Sequence, residues 1–355
     1  MTGDAAEGKV TPEVFARDLA PHLGAARTEV VVGPRVGHDA AIVRVGAGRV
    51  LAMTTDPLTI IPCLGIERSA RLAAHLVASD LWTTGIPPAY ASVTLNLSPA
   101  FDDDALARWQ RAMSEAWAEL GVAVVTGHTG RLAGCSDQVI GAATLVGVGD
   151  EGRYVTPGMA RVGDRIVVTK SAAFETGVLA AWLCPERVRE RVADDDAFAR
   201  LQHLEREVSV VADCRAAIRA GVRERGVTAM HDATEGGVLG GLCELAAACG
   251  HDLRVERERL PLDPAIAAAC AALEVDPWWS CSEGALILCA APERTDAVLG
   301  ELREAGIAAV VVGEVLAGHG RLWVGEPAGP PSTFDAPLPD PWWAAYARAV
   351  REGWR

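Results

Sequence analysis

Along the chain, segments whose apolar residues recur every two positions alternate with segments whose apolar residues recur every three or four positions. This alternation predicts a mixed α/β protein. Apolar residues at every second position, or in a short run, predict a strand, and recurrence every three or four positions predicts a helix. In the first part of the chain this rule predicts strands at residues 40–45, 50–55, 90–97, 122–125 and 139–148. It predicts helices there at residues 67–82 and 106–120, the second opened by the acidic run Asp102, Asp103 and Asp104.

A second unit is predicted to begin near Tyr154, where the same alternation resumes. Strands are expected at residues 165–169, 227–230, 285–289 and 308–315, and helices at residues 175–183, 197–220, 236–249 and 293–305. Residues 326–341 are rich in proline and lack periodicity, so we expect a linker before a short tryptophan-rich helix. We therefore divide the chain into residues 1–152, 153–325 and 326–355. The aromatic tail either covers the protein's own surface or docks a protein partner.

Charge and composition exclude several functional classes. The 355 residues include 33 basic and 47 acidic side chains, and the net charge of −14 is unsuited to nucleic acid. No run of 18 apolar residues is present, and Met1–Lys9 lacks the apolar core of a signal peptide, so we expect no membrane partner and a cytoplasmic location. The nine cysteines, Cys281 among them, form no Cys-x-x-Cys pair, and we expect buried thiols rather than disulfides or a zinc site.

Lysine is rare in this chain. Lys9 and Lys170 are the two lysines among the 33 basic residues, and the other 31 are arginines. Lys170 directly follows the strand predicted at residues 165–169. A lysine is a compact positive charge that reaches a phosphate or a carboxylate. Lys170 is therefore a candidate for substrate contact, and a solvated surface lysine is the alternative.

Four aspartates stand at the ends of predicted elements, each among small residues. They are Asp39, Asp56, Asp80 and Asp232. Each one alone is typical of a helix cap or a turn. Four of them in one chain favour convergence, and converging carboxylates repel one another unless a cation lies between them. Mg²⁺ fits such a site because it binds few carboxylates, keeps water ligands and bridges to phosphates.

Two glycine-containing segments are candidates for anion contact. Gly127-His128-Thr129-Gly130 follows the strand predicted at residues 122–125, where a turn leaves backbone N–H groups free for phosphate oxygens. Thr234-Glu235-Gly236-Gly237 opens the helix predicted at residues 236–249, and a helix N-terminus attracts anions. An ordinary turn and an ordinary N-cap are the alternatives. The chain has no P-loop and no strand–Gly-x-Gly-x-x-Gly–helix unit, so ATP would not be bound on those scaffolds.

In order and spacing, these motifs resemble those of the AIR synthase-like (PurM-like) superfamily. It includes aminoimidazole ribonucleotide synthetase, selenophosphate synthetase, thiamine-monophosphate kinase and the hydrogenase maturation protein HypE. The resemblance is strongest to HypE-like AIR synthase-related proteins and spans residues 32–316. In the first half it rests on Val32-Gly33-Pro34, Gly37-His38-Asp39-Ala40-Ala41, Thr55-Asp56-Pro57, Ser79-Asp80 and Gly127-His128-Thr129. In the second half it rests on Thr169-Lys170, on residues 230–237 and on Ser282-Glu283-Gly284-Ala285-Leu286.

This resemblance implies a two-domain PurM-like fold. Residues 1–152 would form an ATP-binding and dimerisation domain, whose half-barrel sheet is completed by its twin in a homodimer, and residues 153–325 an α/β domain. ATP and Mg²⁺ would bind in the cleft. By position, the resemblance assigns Mg²⁺ and phosphate binding to Asp39, Asp56, Asp80 and Asp232, nucleotide contact to Gly127, His128 and Thr129, and catalytic contacts to Lys170, Asp232 and Glu235.

The resemblance also implies an ATP- and Mg²⁺-dependent enzyme that activates an amide or carboxylate oxygen of a small substrate, or transfers a phosphoryl group to it. HypE proper ends in Pro-Arg-Ile-Cys, whose cysteine accepts a carbamoyl group, whereas the last residues here are Glu352-Gly353-Trp354-Arg355. We therefore expect a HypE-like maturation factor without that acceptor. Three alternatives stay open: a small-molecule kinase similar to thiamine-monophosphate kinase, a nucleotide-binding maturation scaffold with little turnover, and a metal-dependent hydrolase using His128, His231 and the aspartates.

Overall fold

Two β-sheets organise the chain in the computed structural model, which describes residues 8–354. The strands of the first sheet are β1 Val30–Val32, β2 Ala41–Gly46, β3 Arg49–Thr59, β4 Tyr90–Leu97, β5 Ala123–Arg131 and β6 Val139–Asp150. They lie in the order β1-β2-β3-β6-β4-β5, and neighbours are antiparallel except for β4 with β5. The longest pairing joins β3 to β6, so these two strands form the centre of the sheet.

Helices cover one face of this first sheet. The helices of this part of the chain are α1 Pro12–Val14, α2 Gly65–Trp82 and α3 Asp103–Leu120. Alternation along β3 buries Val50 and Leu58 and leaves Met53 on the opposite face, 39% exposed. Trp109 and Trp117 of α3 are buried in the same core as Val50 and Leu58. The sheet therefore has one face packed on helices and one face that carries exposed apolar side chains.

The second sheet has seven strands. They are β7 Arg165–Thr169, β8 Val227–Asp232, β9 Asp252–Glu256, β10 Leu286–Ala290, β11 Ala309–Leu316, β12 Leu322–Gly325 and β13 Ser332–Phe334. Their order is β13-β12-β9-β11-β7-β10-β8, and neighbours are antiparallel except for β12 with β9. Every residue of β8 and β10 is buried. Because β8 ends in His231 and Asp232, it carries two ionisable groups into the interior.

Eight further helices surround the second sheet. They are α4 Phe174–Leu183, α5 Pro185–Arg189, α6 Asp195–His203, α7 Val211–Ala217, α8 Gly237–Cys249, α9 Pro264–Leu273, α10 Pro292–Glu304 and α11 Pro341–Glu352. Helix α2 contacts α7 and β8 as well as β3, so one core joins the two sheets. The mixed α/β architecture that the sequence predicts is confirmed. The division into residues 1–152, 153–325 and 326–355 stays a prediction.

The sequence prediction for residues 122–130 is wrong in two respects. Instead of a buried strand followed by a glycine turn, the chain forms the single strand β5 across both stretches. Among the described residues β5 is an edge strand with β4 as its neighbour, so Val124 and Val125 are 48% and 62% exposed. Glycine here marks a close backbone approach, because a Cβ on Gly127 would lie 2.1 Å from the carbonyl oxygen of Val93.

The single helix predicted at residues 197–220 is also wrong, because α6 ends at His203, a 3₁₀ turn follows at Leu204–Glu207, and a break at residues 208–210 precedes α7. The break is held by side chains from distant parts of the chain. The hydroxyl of Ser79 accepts the N–H of Val210 at 3.0 Å, and Lys170 donates to the carbonyl of Ser209 at 2.7 Å. Apolar spacing within a segment does not reveal such partners, since they lie 131 and 39 residues away along the chain.

The C-terminal tail packs on the protein's own surface. The stretch predicted as a linker, residues 326–341, contains β13, which pairs with β12. After it, α11 buries Trp342 and Ala345 in one core with helices of the second part. The structure thus shows the first of the two roles proposed for the tail. Arg355 lies outside the described residues.

Two expectations from composition concern membranes and thiols. Among residues 8–354, no helix combines the length and apolar character needed to cross a bilayer. Every cysteine is a free thiol, and six of the nine, Cys281 among them, are buried as predicted. The prediction of burial is wrong for Cys63, Cys135 and Cys249, which are only partly buried. Burial raises the pKa of the Cys281 thiol well above its ordinary value, so the structure favours a structural thiol rather than a nucleophile.

Candidate functional site

Four elements bring four aspartates together where the two sheets meet. Asp39 lies in the loop before β2, Asp56 within β3, Asp80 in the last turn of α2, and Asp232 at the end of β8. They interact electrostatically, since burial raises the pKa of Asp80 and the other three carboxylates raise it further. We call these four residues the acid cluster. The structure thus assembles the residues predicted to bind Mg²⁺, and that binding role stays a prediction.

Thr54 links two members of the acid cluster. Its hydroxyl oxygen lies 3.0 Å from Oδ2 of Asp80 and 2.7 Å from the backbone carbonyl oxygen of Asp39. Thr54 and Asp56 are two residues apart on β3, so both side chains leave the strand on the same face. One strand therefore positions Asp56 directly and orients Asp80 and Asp39 through a hydroxyl group.

Burial and mutual repulsion make two members of the acid cluster, Asp56 and Asp80, costly to ionise. Burial, opposed by Lys9 and assisted by the carboxylates of Asp232 and Asp39, raises the pKa of Asp56 to about 7. At Asp39 burial acts in the same direction, but the charges of Lys9 and His231 outweigh it and lower the pKa. The cluster therefore has more carboxylates than internal cations, which is the condition under which a site takes up a metal ion.

His231 lies between three carboxylates. Its Nδ1 is 3.5 Å from Oδ2 of Asp39 and 3.5 Å from Oδ1 of Asp232, and its Nε2 is 3.3 Å from Oε2 of Glu244. Burial lowers the pKa of His231, but these carboxylates raise it to well above its ordinary value. Glu244 is a site residue that was not predicted from the sequence. The available signal was that Glu244 is the only charged residue of the otherwise apolar helix α8.

The second cation beside the acid cluster comes from the N-terminal segment. The Lys9 ammonium lies 3.6 Å from Oδ1 of Asp39 and 4.0 Å from Oε1 of Glu244. Its pKa is raised well above the ordinary value, chiefly by Glu244. The backbone N–H of Lys9 donates to the Glu235 carboxylate at 3.0 Å. The rarity of lysine was a usable signal for Lys9, but the sequence analysis applied it to Lys170.

Two members of the acid cluster and the neighbouring His231 have donor atoms close enough together to bind a metal ion. Asp39, His231 and Asp232 each place one donor atom within 4.8 Å of the other two. Both carboxylate oxygens of Asp232 are buried and have no hydrogen-bond partner among residues 8–354. Buried carboxylate oxygens without partners are rare because leaving them unpaired costs free energy. The side chains present therefore fit a divalent cation.

Lys170 forms a buried ion pair. Its ammonium lies 2.8 Å from Oδ2 of Asp213, donates to the carbonyl of Ser209 at 2.7 Å, and makes a longer contact of 3.4 Å to the carbonyl of Glu207. Asp213 is fully buried and also accepts the hydroxyl of Thr169 at 2.6 Å. The ammonium is thus held by protein groups, and its predicted contact with substrate stays a prediction.

Glu283 is a second buried carboxylate for which the sequence analysis proposed no role. Burial, and next the carboxylate of Asp232, raise the pKa of Glu283 well above its ordinary value, while the Ser79 hydroxyl and Lys170 act in the opposite direction. Glu283 therefore connects the acid cluster electrostatically to the Lys170 ion pair. Its place in the motif Ser282-Glu283-Gly284 was the signal that could have found it.

The N-terminus of α8 already binds a carboxylate of the chain itself. Asp340 accepts the N–H of Gly236 at 2.8 Å and caps α11 by accepting the N–H of Trp342 at 2.8 Å. This is the position that the sequence analysis offered to a substrate anion. Glu235 in the same turn accepts the backbone N–H of Lys9. Its predicted catalytic contact stays a prediction.

The segment Gly127–Thr129 lies apart from the acid cluster within one chain. The register places Gly127 level with Asp56 but three strands away, across β6 and β4. At about 4.8 Å per strand this is a separation of about 14 Å. Nucleotide contact by this segment stays a prediction. The hydrolase alternative is disfavoured within one chain, because His128 follows Gly127 on β5, three strands away from Asp56 of the acid cluster.

Two family models match most of the chain. The first, described as AIR synthase related protein, N-terminal domain, matches residues 37–149, and the second, AIR synthase related protein, C-terminal domain, matches residues 161–325. The chain belongs to the AIR synthase related family. Carbamoyl dehydratase HypE of Rhizobium leguminosarum bv. viciae is 30% identical to it over 288 residues, which cover 80% of this chain and 78% of the relative.

Solved structures of this family share the fold. The crystal structure of E. coli HypE, a hydrogenase maturation protein, superposes with a TM-score of 0.68 at 25% identity and covers 82% of this chain and 87% of that one. A HypE structure in complex with ATP has a TM-score of 0.63 at 23% identity and covers 95% of this chain and 98% of that one. The predicted two-domain PurM-like fold is thereby confirmed.

We predict that, without divalent cations, the free energy of unfolding falls as the pH rises. Asp56 has a pKa of about 7 in the folded chain, whereas an unfolded aspartate titrates near about 4. Between these values the folded chain binds more protons than the unfolded chain, so raising the pH destabilises it. Asp56→Asn removes this contribution, and its stability relative to the wild type should rise between about pH 5 and about pH 7.5.

Urea unfolding in the presence of a chelator measures this effect. Asp150→Asn is the matched control, since Asp150 is an exposed aspartate of the same sheet, paired with Arg49 at 2.9 Å. Its stability relative to the wild type should be independent of pH in this window. A profile for Asp56→Asn that parallels the wild type would contradict the raised pKa.

We predict that Lys9→Met binds divalent cations more tightly than the wild type. The Lys9 ammonium lies 3.6 Å from Oδ1 of Asp39, and its charge opposes the entry of a second cation. Repulsion of about 1 kcal/mol or more at such distances corresponds to a gain of about fivefold to tenfold in affinity. Calorimetric titration with Mg²⁺ measures it, with Lys9→Arg as the charge-preserving control. Equal or weaker binding by Lys9→Met would disprove this role.

Proposed function

We propose that this chain is an ATP- and Mg²⁺-dependent enzyme that activates an amide or carboxylate oxygen of a small substrate. The observation that supports the proposal is the convergence of four carboxylates, from a loop, two strands and a helix, in the acid cluster. Their mutual repulsion is relieved by a divalent cation, and the cation in turn attracts the phosphates of ATP. An acidic protein with a net charge of −14 thereby gains a local positive charge for an anionic ligand.

The names of the relatives support this chemistry. The Rhizobium relative is a carbamoyl dehydratase, and one HypE structure was solved in complex with ATP. Loss of water from an amide requires its oxygen to become a better leaving group, and transfer of a phosphoryl group from ATP to that oxygen achieves this. We infer the same type of activation here, and the identity of the substrate is left open.

The residues of the site divide between metal binding and substrate contact. In this proposal Mg²⁺ is held by Asp39, Asp56, Asp80 and Asp232, and when bound it neutralises charge on the transferred phosphoryl group. Thr54 orients Asp80 and Asp39 in advance, which reduces the reorganisation that binding requires. Lys170 and Glu235 remain the candidates for substrate contact.

We also propose that the chain forms a homodimer through the open side of the first sheet. Strand β5 presents an unpaired edge among the described residues, and Val124 and Val125 project from it into solvent. Met53 and Tyr90 are exposed apolar side chains of the same sheet, 39% and 49% exposed. A long apolar edge strand is a site of association, and a second copy of the chain would cover it.

We predict that Asp56→Asn lowers Mg²⁺-dependent affinity for ATP by at least about tenfold, because one of the metal-binding carboxylates is lost. Isothermal titration of the protein with ATP in the presence of Mg²⁺ measures the change. Asp150→Asn serves again as the control, and its affinity should equal that of the wild type. ATP affinity of Asp56→Asn that equals the wild type would remove the metal assignment.

The fate of the phosphoryl group separates this proposal from its alternatives. Wild-type protein is incubated with ATP, Mg²⁺ and small carbamoyl or formamide compounds, and both phosphate and organic product are analysed. Free phosphate together with a dehydrated product is the expected result. A product that retains the phosphoryl group would favour the kinase alternative, and tight ATP binding without turnover would favour the scaffold.

We predict that the wild type is a dimer in solution and that Val125→Lys is a monomer. Val125 is 62% exposed in the single chain, so the added charge should disturb association rather than folding. Sedimentation velocity measures the mass. Val350→Lys is the control, because Val350 is similarly exposed, at 57%, but lies on α11. A monomeric wild type would exclude the dimer.

A further inference from the structure

The ring of His231 is placed with one nitrogen facing two carboxylates. Nδ1 lies 3.5 Å from Oδ2 of Asp39 and 3.5 Å from Oδ1 of Asp232. The His231 side chain is fully buried, and Nδ1 has no hydrogen-bond partner within the described range 8–354. The two oxygens of Asp232 are also buried without a partner in that range. A buried nitrogen and buried oxygens that face one another in this way form a set of metal donors.

The spacing of these donors fits a metal ion. Two donors bound at about 2.1 Å to a tetrahedral metal ion lie about 3.4 Å apart. The two separations that involve Nδ1 are each 3.5 Å, and all three donor atoms lie within 4.8 Å of one another. A metal ion can therefore contact His231, Asp39 and Asp232 together with only small movements of the side chains.

Glu244 prepares the ring for this role. Oε2 of Glu244 lies 3.3 Å from Nε2 of His231. Nε2, like Nδ1, has no hydrogen-bond partner among residues 8–354. A proton on Nε2 would face the Glu244 carboxylate at this distance, and the lone pair of Nδ1 would then be free for a metal. A carboxylate behind a ligating histidine is a recurrent arrangement in metal sites, where it fixes the tautomer and makes the ring a stronger donor.

Lys9 is compatible with a metal ion at this position because it uses the other oxygen of each carboxylate. Its ammonium faces Oδ1 of Asp39 and Oε1 of Glu244. His231 instead faces Oδ2 of Asp39 and Oε2 of Glu244. Of these two carboxylates the metal ion would share only Asp39 with the lysine, and it would use the oxygen that Lys9 does not face.

We propose that His231 Nδ1, Asp39 and Asp232 bind a first-row transition-metal ion, with Glu244 as the residue that positions His231. Imidazole nitrogen is a better ligand for such ions than for Mg²⁺, which prefers carboxylate and water oxygens. The inference rests on the proposed function, because that function assigns metal binding to the acid cluster. It goes further by naming the kind of cation that binds where His231 meets Asp39 and Asp232. A preference for transition metals over Mg²⁺ follows from the single nitrogen donor.

Pulsed EPR of the full-length chain loaded with Mn²⁺ in the absence of nucleotide tests this proposal. The expected spectrum contains ¹⁴N modulation from a directly bound imidazole. His231→Asn should lose that modulation and bind Mn²⁺ at least about tenfold more weakly, while its Mg²⁺ affinity changes less. Glu244→Gln should keep the modulation and lower Mn²⁺ affinity by about tenfold to 100-fold, as expected for a positioning residue.

A histidine outside the acid cluster provides the control. His75 of α2 is buried and its Nδ1 contacts the hydroxyl of Ser209 at 3.1 Å, so His75→Gln should leave both the modulation and the Mn²⁺ affinity unchanged. Absence of ¹⁴N modulation in the Mn²⁺-saturated wild type would overturn the proposal, because His231 would then act as an ion-paired imidazolium. Modulation that survives in His231→Asn would overturn it equally. The wild-type spectrum decides the question even where a variant fails to fold.

The experiment also separates this inference from the proposed function. It uses no nucleotide, so nitrogen ligation of Mn²⁺ together with a failure to bind ATP would support the metal site and contradict the proposed enzyme. Mg²⁺-dependent ATP binding without nitrogen ligation of Mn²⁺ would support the proposed enzyme and contradict the transition-metal site.

Discussion

Electrostatic repulsion among the four carboxylates of the acid cluster must be reduced for the chain to fold with these residues buried together. Asp56 and Asp80 meet it by retaining protons, since burial and nearby charges raise their pKa values. Asp39 meets it with two cations, Lys9 and His231, which lower its pKa. Protons, internal cations and a bound metal ion are therefore alternative ways of balancing one set of charges. Protons, the internal cations and a metal ion all act on the same carboxylates. A change in pH, in the N-terminal segment or in metal concentration therefore changes the binding of the other two.

The N-terminal segment and the C-terminal tail both bind the turn at Glu235 and Gly236, which precedes α8. Glu235 accepts the backbone N–H of Lys9, and the next residue, Gly236, donates its N–H to Asp340 of the tail. The turn precedes α8, whose Glu244 contacts both Lys9 and His231. Residues far apart in the sequence thus control the surroundings of the acid cluster.

Local patterns were sufficient for many elements. The strands predicted at residues 90–97 and 165–169 match β4 and β7 residue for residue, because alternation or a short apolar run within five to eight residues encodes them. The helix start at Asp102 is confirmed, since its carboxylate caps α3. Prediction failed where a distant partner decides the conformation. Pairing with β4 converts the glycine segment at residues 127–130 from a turn into a strand, and bonds from Ser79 and Lys170 interrupt the helix predicted at 197–220.

The sequence by itself determined the alternation of strands and helices, the family and the identity of the four aspartates, because each of these is written in a few neighbouring residues. The tertiary structure alone decided how their charges are balanced. In the folded chain Lys9 lies beside Asp39, and Lys170 forms an ion pair with Asp213. His231 lies between the carboxylates of Asp39, Asp232 and Glu244. The physical reason is that electrostatic energy depends on distance in space and on burial. Neither quantity can be read from the spacing of residues along the chain.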